Sequence, residues 1–107
     1  MLRKPGQADL ETIADPALTD TNVLLKVRFV GFCGSDLKSF RGLNPLVTYP
    51  RILGHEIAAT VLQDLGRKAI LSAGTNVSVS PYTSCGKCSS CLRGRSNACQ
   101  FNQTLGV

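Results

Sequence analysis

The sequence predicts a mostly-β domain, a partly closed barrel or sandwich, with one short helix. Short runs of β-branched residues recur along the chain, 10 Gly and 5 Pro interrupt them, and a single segment has the form of a capped helix. At 107 residues the expectation is one domain that buries roughly 65% of the surface its unfolded chain exposes. A function that needs a second domain is outside this chain acting alone.

Element by element, residues 5–22 are rich in turn formers, with one mixed stretch at 10–14 that reads as a short strand. Residues 23–30 alternate more clearly. Val23, Leu25, Val27 and Phe29 would share one face, with Lys26 and Arg28 on the other, the pattern of a half-buried strand. Gly31 breaks it, and 33–42 reads as a short helix capped by Ser35 or Asp36 and ended by Gly42. Asn44-Pro45 and Tyr49-Pro50 make 43–51 a loop. Residues 57–65 read as a second strand, 66–68 as a turn, and 69–72 and 77–80 as two further short strands. Residues 81–100 contain almost no apolar side chain apart from cysteine, so hydrophobic burial cannot order them.

Charge and targeting exclude several classes. The net charge of +5 comes from 12 basic and 7 acidic residues, with no basic run longer than two. A nucleic-acid footprint needs a clustered stripe, so no such partner is expected. No run approaches the ~18 to 20 apolar residues of a membrane span. The opening Met1-Leu2-Arg3-Lys4-Pro5 does not lead into an export-signal core. A cytoplasmic protein without membrane contact is expected.

The five cysteines divide into four and one. Cys85, Cys88, Cys91 and Cys99 have the spacing C-x2-C-x2-C-x7-C. Two intervening residues let a tight turn aim both sulfurs at one ion, and a fourth sulfur after a short loop completes a tetrahedron. Zinc suits that set and would supply the folding free energy that this segment lacks. A closed tetrathiolate is structural, because no position remains for substrate. The competing assignments are an iron–sulfur cluster, whose common bacterial spacing places the fourth cysteine after three residues, and unmetallated thiols. Cys33 and the single histidine, His55, stand apart. Each alone is more often a buried hydrophobe or a hydrogen-bonded core residue than a ligand. Cys33 nevertheless follows a strand and precedes a helix, and His55-Glu56 opens the next strand, so neighbouring strands would let them converge on one metal ion.

Four motifs in order, Val30-Gly31-Phe32-Cys33-Gly34-Ser35-Asp36-Leu37, Pro50-Arg51-Ile52-Leu53-Gly54-His55-Glu56, Pro81-Tyr82-Thr83-Ser84-Cys85-Gly86-Lys87-Cys88 and Gly94-Arg95-Ser96-Asn97-Ala98-Cys99, span most of the chain. Together they resemble the N-terminal catalytic domain of the zinc-containing medium-chain alcohol and polyol dehydrogenases. The resemblance implies a GroES-like barrel over 1–107 with a structural-zinc lobe at 81–100. It also implies a catalytic zinc on Cys33 and His55 with Glu56 in or beside its shell. By the same resemblance Ser35 passes the alcohol proton onward and Asp36 orients the zinc-bound His55. The implied chemistry is hydride transfer from a small alcohol or polyol to NAD or NADP in a complete parent enzyme, expected to be a homo-oligomer.

The chain also departs from the family pattern. Lys38 occupies a position that is often His, and Gly74-Thr75-Asn76-Val77 replaces the usual Gly-Asp-Arg-Val. No Gly-x-Gly-x-x-Gly fingerprint for a dinucleotide occurs, so no Rossmann domain is expected within these 107 residues. The expectation is a domain that ends before the family's later zinc ligand and oxidises no alcohol by itself. The competing class is a zinc-stabilised binding module for RNA or protein, which has no use for the distant Cys33 and His55 pair.

Overall fold

The β-branched runs become strands in the computed structural model, which describes residues 1–19, 22–63 and 71–106. A first hairpin pairs β1 (Leu2–Lys4) with β2 (Gln7–Ala8). The main antiparallel sheet has the order β3 (Leu24–Gly31), β4 (Glu56–Gln63), β5 (Asn76–Val79). Helix α1 (Gly34–Phe40) follows β3, and α2 (Ser89–Leu92) with a single 3-10 turn at Ser96–Ala98 lies in the cysteine lobe. The mostly-β expectation holds. Among the described residues the sheet is open, and no helix is long and apolar enough to cross a membrane.

β4 is central, and its Ala59, Thr60 and Val61 are all buried because strands lie on both edges. Leu2 is buried as well, at 2% exposure, and is tied by two backbone hydrogen bonds to Arg51 at 2.8 and 2.9 Å. The core is thin. The radius of gyration is 15.7 Å, against about 13 Å for a compact domain of this length.

That thinness corrects one expectation about β3. Val27 and Phe29 are 53% and 76% exposed rather than packed. Register shifts at Leu24/Leu25 and Val27/Phe29 also break the two-residue alternation that a regular strand would keep. Residues 10–14 form no strand; Leu10 and Ile13 face solvent, so the stretch has no apolar face to bury. The second strand spans Glu56–Gln63 and the last Asn76–Val79. Residues 64–65, the turn at 66–68 and the start of the 69–72 strand lie outside the described residues, and Leu71 and Ser72 are not in a strand.

The helix cap differs as well. Cys33, with extended backbone, is the N-cap of α1, and Asp36 at the third helical position accepts a 2.9 Å hydrogen bond from the Cys33 N–H. An acid at that position reaches back to an unpaired backbone donor, so the acidic residue serves the cap without being it. The helix ends before Gly42, as expected.

Candidate metal centres

The first centre is built by strand pairing. In the β3–β4 register Gly31 lies opposite Glu56. Cys33 comes two residues after the end of β3, and His55 immediately precedes β4, so the pairing brings both to one end of the sheet. One ligand atom each from Cys33, His55 and Glu56 then lie within 4.8 Å of one another. Gly31 makes room for this: a Cβ there would stand 2.2 Å from Glu56 Oε2 and 2.9 Å from Glu56 Cβ.

Helix α1 supplies the surroundings. Ser35 Oγ lies 3.4 Å from His55 Nε2. Asp36, only 3% exposed, turns Oδ1 toward His55 Nδ1 at 3.7 Å. Both of those atoms are buried and neither has a hydrogen-bond partner. Two orphaned groups facing each other fit a ligating histidine whose other ring nitrogen bonds a carboxylate when the metal draws the ring into place. The Ser35 hydroxyl foremost, then its backbone N–H and the His55 ring, hold the Cys33 thiol below its ordinary range, against burial and the Glu56 charge. The donor set of thiolate, imidazole and carboxylate is one that zinc accepts.

Ser39 anchors α1 to the loop that follows. Its side chain is 1% exposed; Oγ donates to Ser35 O at 2.9 Å and accepts from Asn44 Nδ2 at 3.0 Å, while Tyr49 Oη donates to Ser39 O at 2.6 Å. These bonds keep Ser35 facing a cavity of about 390 Å³, which Ser35 and His55 share with Lys38, Asn44, Tyr82 and Thr104.

The second centre is the lobe. The sulfurs of Cys85, Cys88, Cys91 and Cys99 lie within 4.8 Å of one another, with Cys85 and Cys91 Sγ 4.0 Å apart. Zinc–sulfur bonds of ~2.3 Å in a tetrahedron set sulfurs about 3.8 Å apart, so the spacing fits the ion closely. Backbone N–H groups already serve the sulfurs: Cys88 N–H donates to Cys85 Sγ, and Cys85 and Phe101 N–H donate to Cys99 Sγ, each at 3.3 Å. Backbone hydrogen bonds from Cys91 and Gln100 draw the Cys88 thiol down to about 6. Burial first, and the neighbouring cysteines with it, pushes Cys91 up to about 11. Cys99 is lowered by the Cys85 backbone N–H. The lobe base is closed by hydrogen bonds from Thr83 to Asn102 and Gln103, and from Leu105 N–H to Pro81 O.

All nine sequence-proposed residues therefore fall into two clusters. Sequence reasoning missed the return of the chain to the first. Gly106, with φ of 72°, packs on Gly54, where a Cβ would stand 2.1 Å from Gly54 O and 2.6 Å from its carbonyl carbon. The backbone before His55 is thereby held from outside its own loop. The sequence signal was only a glycine near the end of a polar stretch.

Comparison with known proteins places this geometry in context. The family model described as alcohol dehydrogenase GroES-like domain matches residues 19–107. A zinc-type alcohol dehydrogenase-like protein of Haemophilus influenzae is 43% identical over 107 residues, covering 99% of this chain and 31% of that relative. L-galactonate-5-dehydrogenase of Escherichia coli is 40% identical over 93 residues, covering 86% of this chain and 27% of its own length. The chain thus spans about a third of the length of the curated relatives it matches. Among solved structures, a zinc-binding dehydrogenase of Sinorhizobium meliloti bound to NADP superposes with a TM-score of 0.89 at 29% identity, over 99% of this chain and 31% of that one. An alcohol dehydrogenase of Escherichia coli complexed with NADH gives 0.85 at 36% identity, over 99% and 31%.

Proposed function

The chain belongs to the alcohol dehydrogenase GroES-like domain family, and from that premise we propose that it is the N-terminal catalytic portion of a zinc-dependent alcohol or polyol dehydrogenase using NAD or NADP. The carrying observation is the meeting of Cys33, His55 and Glu56 within 4.8 Å beside Ser35 and Asp36. A binding module stabilised by the lobe alone leaves that cluster without a role.

Cys33, His55 and Glu56 would hold the catalytic zinc. When bound, zinc supplies a Lewis acid that makes a neighbouring hydroxyl acidic near neutral pH. Asp36 Oδ1, 3.7 Å from His55 Nδ1, would accept the Nδ1–H once the ring is drawn into place, which would leave the Nε2 lone pair free for ligation. Ser35 Oγ, 3.4 Å from Nε2, receives a proton from a hydroxyl seated beside His55 and releases its own into the adjoining cavity. That cavity takes the small alcohol or polyol. The four lobe cysteines would hold a second, structural zinc, closed to substrate. NAD or NADP is supported by the relatives solved with those cofactors. The sequence has no Gly-x-Gly-x-x-Gly run, and none of its residues is assigned to the dinucleotide.

Two measurements test the proposal. Metal analysis of this chain is expected to show a tightly held zinc lost in Cys88→Ser and a weaker one lost in Cys33→Ser. In a chain that joins this domain to its dinucleotide-binding partner, Cys33→Ser is expected to abolish NAD(P)-dependent polyol oxidation while the lobe zinc remains. Turnover that survives Cys33→Ser refutes the catalytic assignment. Salt-dependent nucleic-acid binding with no zinc at Cys33 favours the binding module.

A further inference from the structure

We propose that the substrate site recognises a polyol bearing an anionic group, and that Lys38 is the residue that reads the charge. The inference rests on the dehydrogenase reading above and narrows its substrate class. Among the described residues, Lys38 is the only Lys, Arg, Asp or Glu that lines the cavity of about 390 Å³ containing Ser35 and His55. Lys38 makes no ion pair among the described residues. The nearest buried acid, Asp36, is turned to His55 and the Cys33 N–H, so it does not neutralise the ammonium.

Position on the helix gives the reach. Ser35 and Lys38 are three residues apart on α1 and share a face. The rise between them is ~4.5 Å, roughly the span of three to four carbons. A ligand whose reacting hydroxyl lies beside His55 and Ser35, and whose chain follows α1, brings a terminal carboxylate or phosphate to the ammonium. The polar remainder of the wall, Asn44, Tyr82 and Thr104, suits intervening hydroxyl groups. The neighbouring cleft of about 1120 Å³ meets this cavity at Leu46 and Thr104. Among the described residues Arg51 is the one charged side chain in its lining. Among the described residues neither wall carries an Asp or Glu, so a neutral polyol leaves this positive lining unmatched and an anionic one does not.

Calorimetric titration of the zinc-loaded chain with sorbitol, gluconate and sorbitol 6-phosphate tests the assignment. At low salt, at least one anionic ligand is expected to bind about five- to tenfold more tightly than sorbitol. The gap should narrow at high salt. Lys38→Gln should abolish it, and Lys38→Arg should retain it. The order of gluconate and the phosphate identifies which anion the site prefers. Equal binding of charged and neutral ligands overturns the proposal, as does binding of none of them. A preference that survives Lys38→Gln arises elsewhere, at the metal or at Arg51, and overturns it too. Zinc content of the same samples separates the two levels: zinc held at Cys33 without an anion preference sinks only the Lys38 assignment, whereas zinc content unaffected by Cys33→Ser sinks the metal centre itself.

Discussion

Gly106→Ala is expected to weaken the Cys33, His55 and Glu56 centre from a distance while leaving the lobe loaded. An alanine Cβ at this position would lie 2.1 Å from Gly54 O and 2.6 Å from Gly54 C, where ordinary contacts are ~3.5 to 4 Å. Both sides of the clash are backbone, so more than an ångström of separation, on the order of 1.4 Å, must come from moving one strand of chain. Gly54 is bonded to His55, and the movement passes to the ligand. The φ of 72° adds a left-handed penalty of about 1 to 2 kcal/mol for any residue with a Cβ. With about 1 to 3 kcal/mol for overpacking, the expected loss of stability is about 2 to 5 kcal/mol. Gly74→Ala is the control, since Gly74 has φ of 89° but no atom within 4 Å of the place its methyl group would take; it should incur the backbone penalty alone. Urea unfolding and competitive zinc titration of the two variants measure both effects. The weaker zinc should lose about tenfold or more in affinity in Gly106→Ala, equivalent to ~1.4 kcal/mol, with lobe zinc unchanged. If Gly106→Ala matches Gly74→Ala in unfolding midpoint and zinc affinity, the contact with Gly54 does not position His55.

Three further outcomes follow from the same geometry. Gly31→Ala should push the Glu56 carboxylate aside and lower affinity at the first centre as Glu56→Gln does; unchanged zinc binding in both removes Glu56 from the ligand set. Asp36→Asn should cost about 10- to 100-fold in affinity there by releasing His55 Nδ1, and an unaltered titration would show that the ring is oriented without it. The lobe should show a pH dependence with a definite sign. Cys88 is drawn down to about 6, so the stabilisation from its thiolate is present above the ordinary thiol range and is lost as pH falls through about 6. Cys91, pushed up to about 11, still carries its proton at neutral pH. Zinc uptake at pH 7.5, a condition ~1.5 units above the Cys88 value, should therefore release fewer than four protons per ion, counted with an indicator dye. Release of four refutes the ordering.

The parts legible in sequence were those specified by neighbours along the chain. The β-branched run before Gly31 marked β3, and the four-cysteine spacing marked the lobe, because the spacing itself brings the sulfurs around one point. The Cys33 and His55 centre was legible through the resemblance, since two single residues carry little signal of their own. What stayed hidden depends on contacts between distant segments. Phe29 is apolar and alternates correctly, yet burial requires something packed against it, which no local pattern encodes. The β1–β2 hairpin is held partly by the Leu2 and Arg51 backbone bonds, invisible from either segment alone. Cys33 is a poor capping residue by type, and only the reach of Asp36 makes it one.

The two centres differ in how much of the chain each needs before it exists. The lobe draws every ligand from fifteen consecutive residues, Cys85 to Cys99, so closing its loop costs little entropy and can precede the sheet. The other centre exists only after β3 has found β4 across helix α1 and the loop that follows it. On the proposed assignment zinc capture is ordered: the lobe would take its ion from an otherwise unfolded chain, and the second ion would find a site only once the sheet has formed. Zinc at Cys33 and His55 would thus report completion of the fold, while zinc in the lobe would report only that its own loop has closed.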